Sequence, residues 1–334
     1  MVDPKSKAGY RLGIINPLTL VGNEIRSILR ERSLPVTTVA LLDSTGASAG
    51  ALTEVDDEPA VVAAISDEEL EDLDAAFFCG PAASNQPWVS RCRELGVVAI
   101  DLSQDALAKE GKLVVAGINL DEIGLEDTIL VSPHPAAIPL ALILHQLNSV
   151  STIELVTATV VQPASELGQA AVEELAQQTI AVLNVKSVPQ EVFDRQVAFN
   201  LFPAAVGRED VVVDQVRSLV ATRAKMAILM TQGTIFHSHT FSLFVKTKDE
   251  LEEKKIVGAL RANSAIAFAE GDQQFGTIDA AGRDEVLIGL IRVEPAVPGG
   301  FWVWAVCDNL RRSTALNAVL IAEKVLFGTG AKPN

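Results

Sequence analysis

Cysteine and histidine are scarce in this chain, with three cysteines (Cys79, Cys92, Cys307) and four histidines among 334 residues. Thiols so few and so scattered exclude a disulfide framework and a zinc site built on paired cysteines. The one close histidine pair, His237 and His239, would share a face of a strand, but no third ligand stands near it, so no metal is expected. Basic residues are also short: 27 Lys and Arg face 43 Asp and Glu, for a net charge of −16 and a pI near 4.7. Phosphate-rich partners require a basic surface, so neither nucleic acid nor an anionic membrane is expected as a partner. No apolar run approaches the ~20 residues that span a bilayer. The opening stretch "MVDPKSKAGYRLGII" lacks the apolar core and small-residue cleavage site of a signal peptide. A cytoplasmic protein is expected.

What is present is apolar substance, 49% of the chain, enough for two domains with real cores. The first 130 residues alternate short apolar runs with helical patterns, the mark of βαβ units and a parallel sheet. Strands are expected at "YRLGII" (10–15), "VTTVALL" (36–42), "AAFFCG" (75–80), "VVAIDL" (97–102) and "KLVVAG" (112–117), with a helix over 22–32. The acidic stretch 57–74 reads as surface. Beyond it the pattern becomes strand 153–161, helix 166–184, helix 211–221, strand 241–247, helix 249–262, and strands 285–293 and 301–310. The apolar strands 285–293 and 301–307 suggest a sheet with helices on one side and a partner subunit on the other. The closing helix 313–327 has no sheet partner near it in sequence and is expected to return to the first domain.

"VSPHPAAIPLALIL" (131–144) reads as a strand turning sharply into an apolar helix, a corner that often carries a nucleophile because the helix N-terminus stabilises negative charge. Four segments, "QPASELGQAAVEELAQQT" (162–179), "QVAFNLFP" (196–203), "DAAGRDEVLIGLIR" (279–292) and "DNLRRSTALNAVLIAE" (308–323), stand in one order along the chain. On these segments the chain resembles the aspartate-semialdehyde dehydrogenase family from Leu12 to Phe327. The resemblance implies an α/β fold: a Rossmann-like NAD(P)-binding domain over 1–131, with the helix 312–327 packed back on it. A dimerisation domain of the semialdehyde dehydrogenase and glyceraldehyde-phosphate-dehydrogenase-like type is implied over 132–311. It also implies a homodimer, NADP, and reduction of aspartyl phosphate to the semialdehyde through a cysteine thioester.

Carried over residue by residue, the chemistry thins out. The family's Asn-Pro-Asn-Cys-Ser/Thr corner falls on Ser132-Pro133-His134-Pro135-Ala136, which puts Pro135 at the nucleophile position. Proline cannot attack an acyl phosphate, but it suits a helix start. The family's Gly-x-x-Gly-x-x-Gly cofactor loop falls on Asn16-Pro17-Leu18-Thr19-Leu20-Val21-Gly22, where Gly22 alone remains. The phosphate-binding arginine falls on Leu107 and the carboxylate-binding arginine on Gln232. The acidic contact to the substrate amino group falls on Gln215, and the nearby lysine on Val211. Gln162, the acyl-positioning glutamine, His239, the general base, and Asn309, the nicotinamide contact, are retained. Neither Cys79 nor Cys307 opens a helix, so neither is a ready substitute nucleophile.

The chain resembles the family's Usg-type branch, and that resemblance implies loss of the catalytic cysteine. The leading expectation is a homologue that has lost catalysis and has no cofactor, acting as a homodimer, or as a heterodimer with an active relative, in binding or regulation. The alternative is a working NADP-dependent enzyme with a misaligned site. A third reading is a repurposed enzyme using His134 and His239 on an uncharged ligand.

Overall fold

The computed structural model describes residues 9–103, 111–204, 208–269 and 274–328. It forms two compact units. One holds the described residues up to His134 and from Thr314 onward; the other is Pro135–Ser313.

The first unit is built on β1 (Tyr10–Ile15), α1 (Leu20–Arg32), β2 (Val36–Asp43), a hairpin of β3 (Leu52–Val55) and β4 (Glu58–Val61), and β5 (Ala63–Ala64). α2 (Asp67–Glu71), β6 (Ala75–Phe78), α3 (Ala82–Leu95), β7 (Val98–Asp101), β8 (Lys112–Leu113) and β9 (Ile129–Val131) follow. Seven strands make one sheet in the order β5-β2-β1-β6-β7-β9-β8, and every pair in it is parallel. Side chains alternate along each strand, so both faces need a cover. Leu12, Ile14, Phe77, Ile100 and Leu130 point to one face and meet Ile25, Ile28 and Leu29 of α1. Ile15, Phe78, Ala99 and Val131 point to the other and meet Leu70 after the start of α2 and Val89 and Cys92 of α3.

The expected strand over 112–117 pairs only at Lys112 and Leu113. Beyond them, side chains take the backbone: Asn119 Oδ1 accepts from Val115 N at 2.9 Å. Asn317 donates to Val114 O at 2.9 Å and accepts from Ala116 N at 2.8 Å.

The second unit opens with α4 (Ala137–Asn148) and β10 (Ile153–Gln162), then α5 (Gln169–Leu183), β11 (Leu201–Pro203), α6 (Glu209–Val220) and β12 (Lys225–Gly233). β13 (His239–Thr247), α7 (Glu253–Arg261), β14 (Ile266–Phe268), α8 (Thr277–Ala280), β15 (Val286–Val293) and β16 (Gly300–Cys307) complete it. Its sheet runs β11-β12-β10-β13-β16-β15-β14. The central pairings β10–β13 and β13–β16 are antiparallel, and β10–β12 is parallel. β12 was not among the expected strands. The expected helix 166–184 is a short 3-10 turn at Ala164–Leu167 followed by α5; Gly168, at φ +94°, separates them.

α4 is apolar all round and buried along nearly its whole length, packed against α6 and α7. On one face of the sheet, Val156, Ala158, Val160, Leu243, Phe241, Val303 and Ala305 are buried. The register puts Leu229, Thr159, Ser242 and Trp304 in a row across the opposite face, with Ala227, Thr157, Phe244 and Trp302 in the next. Leu229 is 51% exposed and Trp304 36%, so no helix of the described chain covers this face.

The last helix, α9 (Leu316–Phe327), belongs to the first unit. Leu316, Val319, Ile321 and Leu326 join the α1 side of the parallel sheet, each such burial contributing about 1.5–3 kcal/mol. Arg32 and Glu323 pair between α1 and α9, with Nη2 to Oε2 at 2.9 Å. Asn317 also reaches Ser132 Oγ at 3.0 Å. Among the described residues, no helix is long and apolar enough to cross a membrane.

Candidate functional site

In the first unit, the carboxyl ends of β1, β2 and β6 form the place where parallel sheets of this kind hold a dinucleotide. Here the protein's own side chains occupy that end. Asn16, in the left-handed region at φ +58°, donates to Cys79 O at 2.7 Å and to Asn85 Oδ1 at 3.1 Å. Its Oδ1 accepts from Ser44 N at 3.0 Å and Ser44 Oγ at 3.1 Å, so one amide fastens three strand ends together. Asn85, fully buried, donates its own amide to Cys79 O at 2.9 Å.

The start of α1 is likewise closed by its own residues. Thr19 is the N-cap, its Oγ1 accepting from Gly22 N at 3.1 Å. Thr19 N bonds to Asn16 O at 3.3 Å, and Pro17 has no N–H to offer. A Cβ on Gly22 would lie 2.6 Å from Pro17 O, so the missing side chain lets the loop lie on the helix. A pyrophosphate needs donors pointing outward at this turn. Those of Thr19 and Gly22 are turned inward.

Asp43, at the end of β2, was missed in the sequence. An acidic residue there reads ribose hydroxyls in dinucleotide folds. In this chain its Oδ1 accepts from Thr45 N and Thr45 Oγ1, both at 2.7 Å, and from Gly46 N at 3.0 Å. Its Oδ2 accepts from Ser48 N at 2.6 Å and from the Ser48 hydroxyl. Burial opposes the charge, but these bonds from Ser48 and Thr45 outweigh it and hold the carboxyl far below the usual carboxylate range. The signal was an Asp followed by Ser, Thr and Gly just after an apolar run, the makings of an Asx turn.

In the second unit, Gln162 ends β10, Gln232 lies beside it on β12, and His239 opens β13 opposite Cys307 of β16. All four stand at the same end of the sheet and are buried. Gln162 Nε2 donates to Gln232 Oε1 at 3.2 Å, and Gln232 Nε2 returns a bond to Gln162 O at 3.1 Å. The amide at the expected clamp position thus satisfies its neighbour.

His239 faces Glu166 of the 3-10 turn, with Nε2 3.5 Å from Oε2. Asn309 acts on the Glu166 carboxyl, favouring its charged form. Its Oδ1 accepts from Ser165 Oγ at 3.1 Å and from Ser238 N at 3.0 Å. His239 thus faces Glu166, while Gln162 engages Gln232. Burial pushes the imidazole down to about 3. It pushes the Glu166 carboxyl up to about 7 against the opposing pull of Arg208 and Asn309. Ser238, next to the imidazole, is held at φ +76°.

The corner before α4 is buried throughout, and the helix begins at Ala137, so Pro135 lies in the turn two residues ahead of it. Pro135 is in the second unit; Gly22 is in the first. Gln215 is buried on α6, with Val211 half-buried on the same helix. Leu107 lies outside the described residues. Burial pushes the Cys307 thiol up to about 12 and the Cys79 thiol higher still, Asp101 adding to the latter, so neither is a thiolate at neutral pH. Among the described residues, no group of three His, Cys, Asp or Glu side chains could hold a metal ion.

Residues 144–312 match the model of the semialdehyde dehydrogenase dimerisation domain, and residues 13–126 that of the semialdehyde dehydrogenase NAD binding domain. An aspartate-semialdehyde dehydrogenase of Rickettsia bellii is 25% identical over 333 residues, covering 95% of this chain and 98% of its own. A USG-1 protein homolog of Pseudomonas aeruginosa is 27% identical over 328 residues, covering 94% and 97%. The crystal structure of aspartate semialdehyde dehydrogenase II from Vibrio cholerae superposes with a TM-score of 0.90 at 25% identity, covering 95% of this chain and 98% of that one.

Proposed function

This chain belongs to the semialdehyde dehydrogenase family, and we propose that it has left the family's reaction and works in the cytoplasm as a dimeric binding or regulatory protein. The observation that carries this reading is Pro135 at the corner where the resemblance places the nucleophile. A thioester route needs a thiolate there, and the ring of proline offers neither a nucleophile nor an N–H. Three further features support it. The donors of Thr19 and Gly22 at the start of α1 are spent within the loop. Gln232, at the clamp position, is bonded to Gln162. The retained imidazole of His239 faces a carboxyl group of its own chain. Acyl transfer needs nucleophile, base and anion donors together, and a base alone does not supply it.

The partner is a second copy of this chain, or an active relative with the same sheet, seated on the open face that carries Leu229, Phe244, Trp302 and Trp304. NADP is not expected to bind.

A second reading is a working NADP-dependent aspartate-semialdehyde dehydrogenase. The relatives that bear that activity in their names and align over nearly the whole chain favour it. Phosphate-dependent oxidation of aspartate semialdehyde by NADP, followed at 340 nm (absorbance of the reduced nicotinamide), separates the two. The proposal expects no rate above the protein-free blank. Turnover of about 1 s⁻¹ or more, within the ordinary range of enzymes, would decide for the second reading.

A further inference from the structure

We propose that the groove between the open edge of β2 and the β3–β4 hairpin receives an extended, basic peptide segment of a partner protein, which pairs with β2 as an added strand. The site lies within the first unit, on the Val36 half of β2 and away from its Asp43 end. β2 pairs with β1 along its whole length, but with β5 only at Leu42 and Asp43. Asn16 N bonds to Leu42 O, and Ile65 N bonds to Asp43 O. Peptide groups alternate in direction along a parallel strand, so those of Leu42 and Ala40 turn to β1 while those of Asp43 and Val39 turn the other way. On that side β5 meets Asp43, but the peptide group of Val39 meets no strand among the described residues. An edge left open in this way is a template for a further strand.

The hairpin does not close this edge. It forms a two-stranded sheet of its own and is tied to α1 instead. Arg26 Nη1 donates to Thr53 Oγ1 at 2.8 Å and also to Glu54 O. Arg30 pairs with Asp57 at 3.0 Å. Between hairpin, α1 and β2 lies a groove of about 1030 Å³, at the upper end of what small-molecule pockets enclose, ~1,000 Å³. It runs along β2 from Val36 to Val39. An extended main chain suits such a wall, because it offers a donor and an acceptor to the strand edge at every second residue. The lining sets the charge. Glu54, Asp56, Asp57 and Glu58 outnumber the guanidiniums of Arg26 and Arg30, and Glu54 and Glu58 are exposed. This excess of carboxylate favours lysine or arginine side chains in the occupant. The docking does not depend on whether the chain has kept the family's reaction.

The test uses the full chain and a fluorescein-labelled hexapeptide of alternating valine and lysine, with alternating valine and glutamate as the control. Anisotropy should show saturable binding of the lysine peptide, and binding about tenfold weaker for the glutamate peptide. E54K/E58K should weaken the lysine peptide by about tenfold as well. By NMR, the Val39 amide should exchange freely in the chain alone and about tenfold more slowly in the saturated complex. V39P removes an N–H that β1 does not use, and should abolish binding with the circular dichroism unchanged. The proposal is overturned if the lysine peptide does not saturate by about 1 mM, if both peptides bind alike, or if exchange at Val39 does not change. It is also overturned if the Val39 amide is protected without peptide and released on dilution, which would give this edge to a second copy of the chain. Should V39P not fold, the Val39 amide and E54K/E58K decide.

Discussion

Asp43 concentrates five hydrogen bonds on one carboxylate, all from the loop it begins. Its depressed folded-state pKa means that this stabilisation is present above the ordinary carboxylate range and is lost as pH falls through the folded value. D43N keeps an acceptor for Thr45 and Gly46 but turns an amide donor toward Ser48. It should cost about 2–3 kcal/mol at pH 7, and the gap to the native chain should narrow below about pH 4, read by urea melts across pH. Ser238 presents the opposite case, a side chain at φ +76° whose buried hydroxyl has no hydrogen-bond partner among the described residues. S238G should stabilise the protein by about 1 kcal/mol in the same melts. At this scale the sequence displayed Gln162, His239 and Asn309 as a remnant, but not the carboxyl that faces His239. Glu166 in "PASELGQ" reads as an ordinary first-turn acid. Only the placing of the 3-10 turn beside β13, 73 positions on, gives it a partner.

α5 carries two side chains, one turn apart, that organise the irregular segment after it. Glu174 accepts from the backbone N of Glu191, Val192 and Phe193. Gln178 accepts from Val197 and Ala198 N and donates to Pro189 and Arg195 O. An irregular segment with buried amides needs such partners in place of a ladder. E174A should cost about 3 kcal/mol and remove hydrogen-exchange protection at Glu191, Val192 and Phe193 while leaving the β10 amides protected. The elements themselves were unevenly legible. Strands with strong β formers, such as 153–161 and 241–247, could be read from residue type. β12, "KMAILMTQG", alternates in burial as a strand should, but its Ala, Met, Ile and Leu suit a helix as well, and it follows α6 closely. "KLVVAG" erred the other way: its Val pair promised a strand that Asn119 and Asn317 interrupt.

For the whole molecule, the strand–helix alternation and the four ordered segments made the α/β fold and its family legible. At the family's ligand positions the sequence showed only an accumulation of unexpected residue types, and the structure shows which neighbours those residues engage. Asn16, Thr19, Asp43 and Gln232 bond to their neighbours, which satisfies polar groups that the fold buries. The open face of the second sheet remains to be covered. A partner seated there would bury Leu229 and Trp304, so L229E/W304E should convert a dimer to a monomer of 35.5 kDa in sedimentation velocity with the far-ultraviolet circular dichroism unchanged. An unaltered sedimentation coefficient would place the contact elsewhere.

The most direct measurement of the central claim, that the ligand-facing positions now serve the fold, is a titration of the purified chain with NADPH followed by nicotinamide fluorescence and melting temperature. A ligand that binds the folded state alone raises the melting temperature with its concentration. The account predicts no fluorescence change and no shift at millimolar NADPH. Saturable binding in the micromolar range would contradict it, because the loop from Asn16 to Gly22 would then still hold a pyrophosphate.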